Sequence, residues 1–219
     1  YGELALASYT AAGNLLGQGH GLTNLAIRSV ADGDWDTAVG RFEAATELFH
    51  RVGDTASEAN AQYNRSDVLQ RQARYDEAEP LLLAARHGAL VTDDPELVAL
   101  VDRELGKARL GQGRLDEARE LLESARAALA ELGLQAEVVD AAVALSHVTL
   151  VEGDVRRSRA MSAALLADAA AAGADELIAR IHWLLGAALM LGQDWTTAQA
   201  AFAAGRDAAA LWDGGHVRS

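Results

Sequence analysis

A 40-residue period runs through the chain and constrains its fold more than any other feature. Gly33-Asp34-Trp35, Ala73-Arg74-Tyr75, Gly113-Arg114-Leu115, Gly153-Asp154-Val155 and Gln193-Asp194-Trp195 hold one place in successive copies, without slippage. Three residues later a small side chain follows each time: Ala38, Ala78, Ala118, Ser158 and Ala198. Four further on stands a larger apolar residue, Phe42, Leu82, Leu122 or Phe202, with Ser162 the exception. A second small column precedes the turn at Ala26, Ser66, Gly106, Ser146 and Gly186. Gly13, Gly53, Gly133 and Gly173 close the unit, and Asp93 takes that place once. Units of this size cannot bury a core alone, so they stack on their neighbours.

Each unit is helical twice over. The stretches from about Glu58 to Arg71 and from about Asp76 to Leu90 carry apolar or small residues at i, i+3, i+4 and i+7. Asp36, Asp76-Glu77 and Asp116-Glu117 place acids where a second helix starts and its dipole favours them. Pro95 after Asp94 reads as first helical position and N-cap. Pro80 lies about one turn inside a helix, which predicts tolerance or a mild kink. Paired helices approach closely only where one side chain is short, which accounts for the small columns. Half the residues are hydrophobic but only 5% are aromatic, an alphabet of Ala, Leu, Glu and Arg suited to such helices. The expected fold is all-α, a superhelical solenoid of antiparallel helix pairs. One array is expected over residues 1–219. Residues 1–14 are expected to be the second helix of a truncated unit, running from Glu3 to Leu16. Repeats follow at about 15–54, 55–94, 95–134, 135–174 and 175–214.

These residues resemble the tetratricopeptide repeat (TPR) family. Its pattern sets a Leu-Gly pair in the first helix, then a Gly before an aromatic. Ala, an aromatic and Ala follow in the second helix. Leu185-Gly186, Gln193-Asp194-Trp195, Ala198, Phe202 and Gly205 follow that spacing, as do Gly33, Ala38, Phe42 and Ala45. The resemblance covers nearly the whole chain, with a period longer than the family's commonest length of about 34, which implies longer helices. Repeat four departs most, at Ser158, Ser162 and Leu165. Segments such as Gly113-Arg114-Leu115-Asp116-Glu117-Ala118 are similar to C-terminal arrays of large bacterial, especially actinobacterial, signalling proteins. In those, a nucleotide-cyclase domain and an ATPase module precede the array. The resemblance implies a regulatory protein-interaction module of an adenylate or guanylate cyclase, binding a peptide or partner domain. A second reading is the sensor or oligomerisation region of a large ATPase-type transcriptional activator that takes a small inducer.

No catalytic constellation is present in the sequence, and the chain is expected to be non-enzymatic with no cofactor and no metal. Gly17-Gln18-Gly19-His20-Gly21 lacks the Lys-Ser/Thr of a phosphate loop and reads as a flexible entry to the next helix. The six His form no His-Glu-x-x-His pattern, although His147 and His182 fall where neighbouring repeats would bring them together. There is no Cys and no Gly-x-Ser-x-Gly elbow. A net charge of −13 argues against nucleic-acid binding and against anionic membranes. No apolar run approaches the roughly 20 residues of a membrane span. The chain opens on Tyr1 with no leader, the expectation being a fragment of a longer protein residing in the cytoplasm.

What remains is a surface. In a stacked array each first helix lines the concave side. Positions three before and one after the small column should point inward: Thr23 and Ile27, Tyr63 and Asp67, Arg103 and Lys107, Val143 and His147, Trp183 and Ala187. Asn24 and Asn64 stand two before that column. By resemblance to longer-period family members they grip the backbone of an extended peptide, while Glu104, Ala144 and Leu184 break the ladder. The alternative is that both Asn satisfy local backbone groups. Arg103 and Lys107 either receive a partner's carboxylate or pair internally, with Asp67 or Asp140. Trp183 and Tyr63 are candidate anchors, Trp183 having core packing as its alternative. Arg156, Arg157 and Arg159 read as a solvated convex face, with binding of an anion or an acidic neighbouring domain as the alternative. Leu4, Leu6, Tyr9 and Leu15 near one end, and Trp212 near the other, predict exposed apolar edges that favour homodimerisation or docking on another domain.

Overall fold

The structure is a computed structural model that describes residues 2–216, with side chains described over 2–210; Trp212 lies outside those side chains. Among the described residues eleven helices follow one another: α1 (Gly2–Ala11), α2 (Leu15–Ala31), α3 (Trp35–Val52), α4 (Thr55–Arg71), α5 (Tyr75–Val91), α6 (Pro95–Gly111), α7 (Leu115–Glu131), α8 (Gln135–Val151), α9 (Val155–Ala172), α10 (Asp175–Leu191) and α11 (Trp195–His216). No strand occurs among the described residues, and the fold is an all-α helical repeat. From α2 onward the even-numbered helices start at 15, 55, 95, 135 and 175, and the odd-numbered ones at 35, 75, 115, 155 and 195. The sequence period is therefore the period of the helices.

The helix ends show how a short turn enforces this spacing. Positions 13, 33, 53, 73, 93, 113, 133, 153, 173 and 193 all take positive φ, one at the end of each helix from α1 to α10. Glycine fills seven, and Ala73 (φ 57°), Asp93 (φ 53°) and Gln193 (φ 63°) fill the others. At nine of these turns the next residue turns its N–H back onto the closing helix, as in Asp34 to the Ser29 carbonyl (2.8 Å) and Asp94 to the Ala89 carbonyl (2.9 Å). That same residue opens the next helix. Asn14, Asp34, Asp54, Asp94 and Asp154 each accept an N–H from three residues on, satisfying a donor the helix start leaves open. Pro95 follows its Asp94 cap at the head of α6, and α5 continues unbroken through Pro80.

Two local expectations are corrected. The first helix stops at Ala11 instead of running to Leu16, because Gly13 turns left-handed and Asn14 caps a new helix from Leu15. Gly17 to Gly21 is not a flexible entry but part of α2. Its glycines make room for rings: a Cβ on Gly19 would meet the Phe49 ring at 2.6 Å, and one on Gly17 the Tyr9 ring at 2.5 Å.

Residues 1–113, with α1 to α6, form one compact unit, and residues 114–219, with α7 to α11, form another. Within each, every helix packs on its successor in sequence, and first helices also touch, α4 with α6 and α8 with α10. The columns of the sequence are the packing positions. In the first unit Ala26 and Ala38 are fully buried, with Phe42 and with Val68 of the following helix. In the second, Val143, Leu165, Ile181 and Ala188 belong to one core cluster. Burying a side chain of Phe, Leu or Ile size contributes roughly 1.5–3 kcal/mol, so the large apolar column stabilises each pair where it is occupied. Gly186 has its small size for the same reason, since a Cβ there would meet the Phe202 ring at 2.7 Å.

Candidate functional site

The first-helix face of the first unit is built from α2, α4 and α6. Asn24 and Ile27 on α2 are exposed, Ile27 to 52%, whereas Thr23 turns its hydroxyl to the Gly19 carbonyl (3.0 Å). Tyr63, Asn64 and Asp67 on α4 are half-buried. Among the described residues, no protein group engages the side-chain amide of Asn24 or Asn64. Asn60, one turn away, instead donates to the Ala56 carbonyl at 3.0 Å. The alternative of local backbone satisfaction therefore fails for both residues.

On α6 the charges lie deeper than the sequence suggests. Arg103 is 5% exposed and Glu104 2%. Arg103 donates through Nε (3.1 Å) and Nη2 (2.9 Å) to Glu104 Oε1, and Lys107 Nζ donates to the same oxygen at 2.8 Å. Gln70 Nε2 fills the other carboxylate oxygen at 3.1 Å, and Arg103 Nη2 reaches the Tyr63 hydroxyl at 3.2 Å. Charge-assisted bonds of this kind offset the desolvation of a buried carboxylate. Both cations pair internally, with Glu104 and not with Asp67. Asp67 pairs with Arg71 (2.8 Å) and Asp140 with Arg180 (2.6 Å). Arg103 thus lies beneath the face and holds Tyr63, while Lys107, with 22% of its side chain exposed, reaches its edge.

The second unit places His147 of α8 against Trp183 of α10, ring centroids 6.3 Å apart and edge-on at 72°. Trp183 is 56% exposed, so it is a surface residue and not a core one. Burial, and then the Arg180 guanidinium, hold the His147 imidazole below its usual range; burial does the same for His182. His147 meets a tryptophan where the sequence suggested His182, whose Nδ1 is buried without a hydrogen-bond partner. Val143 (1% exposed) and Ala187 (9%) turn into the core instead of onto the face, because α8 and α10 also pack on each other there. Arg156 and Arg157 are exposed, and Arg159 lies 3.8 Å from Asp194.

Residues 15–86 match the family model described as tetratricopeptide repeat. That stretch is similar to the tetratricopeptide repeat. No curated protein matches the chain significantly. Among solved structures, a Rap protein complexed with competence and sporulation factor superposes with a TM-score of 0.79 at 12% identity, covering 91% of this chain and 55% of its own. The chain therefore spans little more than half the length of that structure. BtubC (BKLC) from P. vanneervenii gives 0.70 at 17% identity, over 97% and 90% of the two chains. Nearly identical TPR-like repeats from Podosopora anserina give 0.62 at 20% identity, over 88% and 94%. At these identities the likeness establishes the TPR-like fold.

Within that TPR-like frame, Glu104 and Gln70 are the residues that the sequence pattern passes over. Glu104 stands where the Asn column would continue, and reads there as a gap. Its position beside Arg103 and three before Lys107 is the signal that locates it. Gln70 leaves no such mark, because its contact crosses between helices.

Proposed function

We propose that this chain is a non-catalytic protein-interaction module, a TPR region whose first-helix face receives an extended peptide or a partner segment. The carrying observation is the pair of unengaged amides, Asn24 and Asn64, at the same register of successive units. Each offers a donor and an acceptor, the complement of a peptide unit. Around them Ile27 presents apolar surface, Tyr63 is oriented by Arg103, and Asp67 and Lys107 supply opposite charges at the rim. His147 and Trp183 form a second contact patch, Trp183 being an exposed aromatic of the kind that anchors interfaces.

In this reading the module regulates a multidomain bacterial signalling protein, an adenylate or guanylate cyclase, in the cytoplasm. Five repeats at about 15–54, 55–94, 95–134, 135–174 and 175–214 make up its array. The Rap structure supports a receiving role for such a fold, since that protein is complexed with competence and sporulation factor. A net charge of −13 disfavours nucleic acid as the partner. Leu4, 70% exposed on α1, makes pairing of two copies through that end part of the proposal, to be checked by light scattering.

The test is selection of a random peptide library on the whole chain. Enriched peptides should lose about tenfold in affinity with Asn24→Ala and Asn64→Ala combined, roughly one hydrogen-bond equivalent. Asn60→Ala, whose amide is already engaged, should leave binding unchanged. Binding that ignores both Asn24 and Asn64 refutes the assignment of this face.

A further inference from the structure

The helix pair α10–α11 carries an open depression of about 670 Å³ lined by Met190, Trp195, Ala198, Gln199, Phe202 and Arg206, with Ala203 beside them. The period identifies what such a depression is for. Moved back by four periods, its lining becomes Val30, Trp35, Ala38, Val39, Phe42 and Thr46. There the same socket is filled: Val68 of α4, 1% exposed, packs with Ala38 and Phe42, which are 0% and 1% exposed. In α11 Phe202 is only partly buried, and Trp195 is 64% exposed against 37% for Trp35. The last described pair therefore presents a preformed seat for a helix that docks as α4 docks on α3.

Charge selects the occupant. Toward their successors, α3 and α5 present acids: Asp36 accepts from Gln72, Glu43 pairs with Arg65, and Glu79 pairs with Arg109. The corresponding residues of α11 are Thr196, Ala203 and Gln199, all uncharged. Arg206 instead occupies the register of Arg86, which holds Asp102 of α6 in a two-pronged pair at 2.6 and 3.2 Å. Among the described residues Arg206 pairs with Asp207, at 3.1 Å, and both side chains are largely exposed, a weak pairing that a better-placed acid displaces. The register of Val68 in α6 is Ala108, six residues after Asp102 and fully buried.

We propose that the α10–α11 face is a docking site for an amphipathic helix of a partner protein, bearing an acidic residue six positions before a small apolar one. The acid pairs with Arg206, and the small side chain enters between Ala198 and Phe202 beneath the Trp195 ring. This site is separate from the peptide-binding face and rests on different residues.

A helix-stapled, fluorescently labelled peptide of residues 95–111 is the probe, titrated into the whole chain. It should bind, and Arg206→Glu should weaken it at least tenfold; that exposed position lets the variant fold. Changing Asp102→Arg in the peptide should weaken binding to the wild-type chain and restore it to the Arg206→Glu chain. Trp195→Ala should weaken the peptide without affecting library peptides selected on Asn24 and Asn64. Absence of binding at millimolar peptide overturns the proposal, as does binding indifferent to both Arg206 and Trp195. A chain that dimerises by light scattering and buries Trp195 without peptide also overturns it, by assigning the face to a second copy.

Discussion

The hydroxyls of Ser146 and Ser162 meet at 2.9 Å, in a place where other units set a small residue against a large apolar one. Ser158 joins them, donating to the Ser146 carbonyl at 3.0 Å, and all three side chains are fully buried. A hydrogen-bonded trio has replaced the usual wedge, so repeat four keeps its close helix approach without a Phe or Leu. Ser146→Ala should cost about 1–3 kcal/mol by stranding its partners. The double variant Ser146→Ala with Ser162→Ala should cost less than the sum of the singles, because nothing polar is left stranded between them. Denaturant unfolding of the four proteins measures the coupling, and strict additivity would contradict the trio.

Left-handed backbone at Ala73 and Gln193 is a second point of leverage. An L-residue with a Cβ loses roughly 1–2 kcal/mol in this conformation, and glycine does not. Ala73→Gly and Gln193→Gly should each raise stability by about 1 kcal/mol, read from the denaturation midpoint. Gly33→Ala should lower it by a similar amount. A Cβ on Gly33 would touch nothing within 4 Å, so the whole effect there comes from its φ of 77°.

The buried acid of α6 should prove more important than its visible cations. Removing Glu104 takes away the buried carboxylate to which Arg103 and Lys107 both donate, a loss of about 3–5 kcal/mol. Tyr63→Phe removes the hydrogen bond from Arg103 and should cost about 1 kcal/mol. Thermal melts of Glu104→Ala and Tyr63→Phe should rank in that order, and the reverse ranking would contradict the network.

Acid should weaken the second unit through His147. Its folded-state pKa is depressed, first by burial and then by Arg180, so the unfolded chain binds the proton more readily. The stabilising contribution is present above the unfolded value of about 6.5 and is lost as pH falls below it. His182 acts in the same direction through burial. Carboxylates titrate lower, so the sensitive window for these histidines is pH 7 to 5. His147→Gln should flatten part of that slope in melting temperature against pH, whereas an unchanged slope would remove His147 from the account.

The sequence by itself determined the helices and their spacing, because both depend on local chemistry. Gly13, Gly33 and their counterparts allow left-handed turns, Asp34, Asp54 and Asp94 cap the next helix, and the small columns admit close packing. The same regularity misled where a glycine served packing: Gly17, Gly19 and Gly21 resemble a loop, yet they receive Tyr9, Phe49 and Leu6 inside α2. Asn24, Asn64 and Trp183 were legible as surface candidates because their register repeats. Tertiary structure alone decided that Arg103 sinks beside Glu104, that Val143 and Ala187 turn inward, and that Ser162 belongs to a trio. Those outcomes depend on side chains of other helices, whose distance and burial set the desolvation of each group, and no periodicity along one helix carries that information.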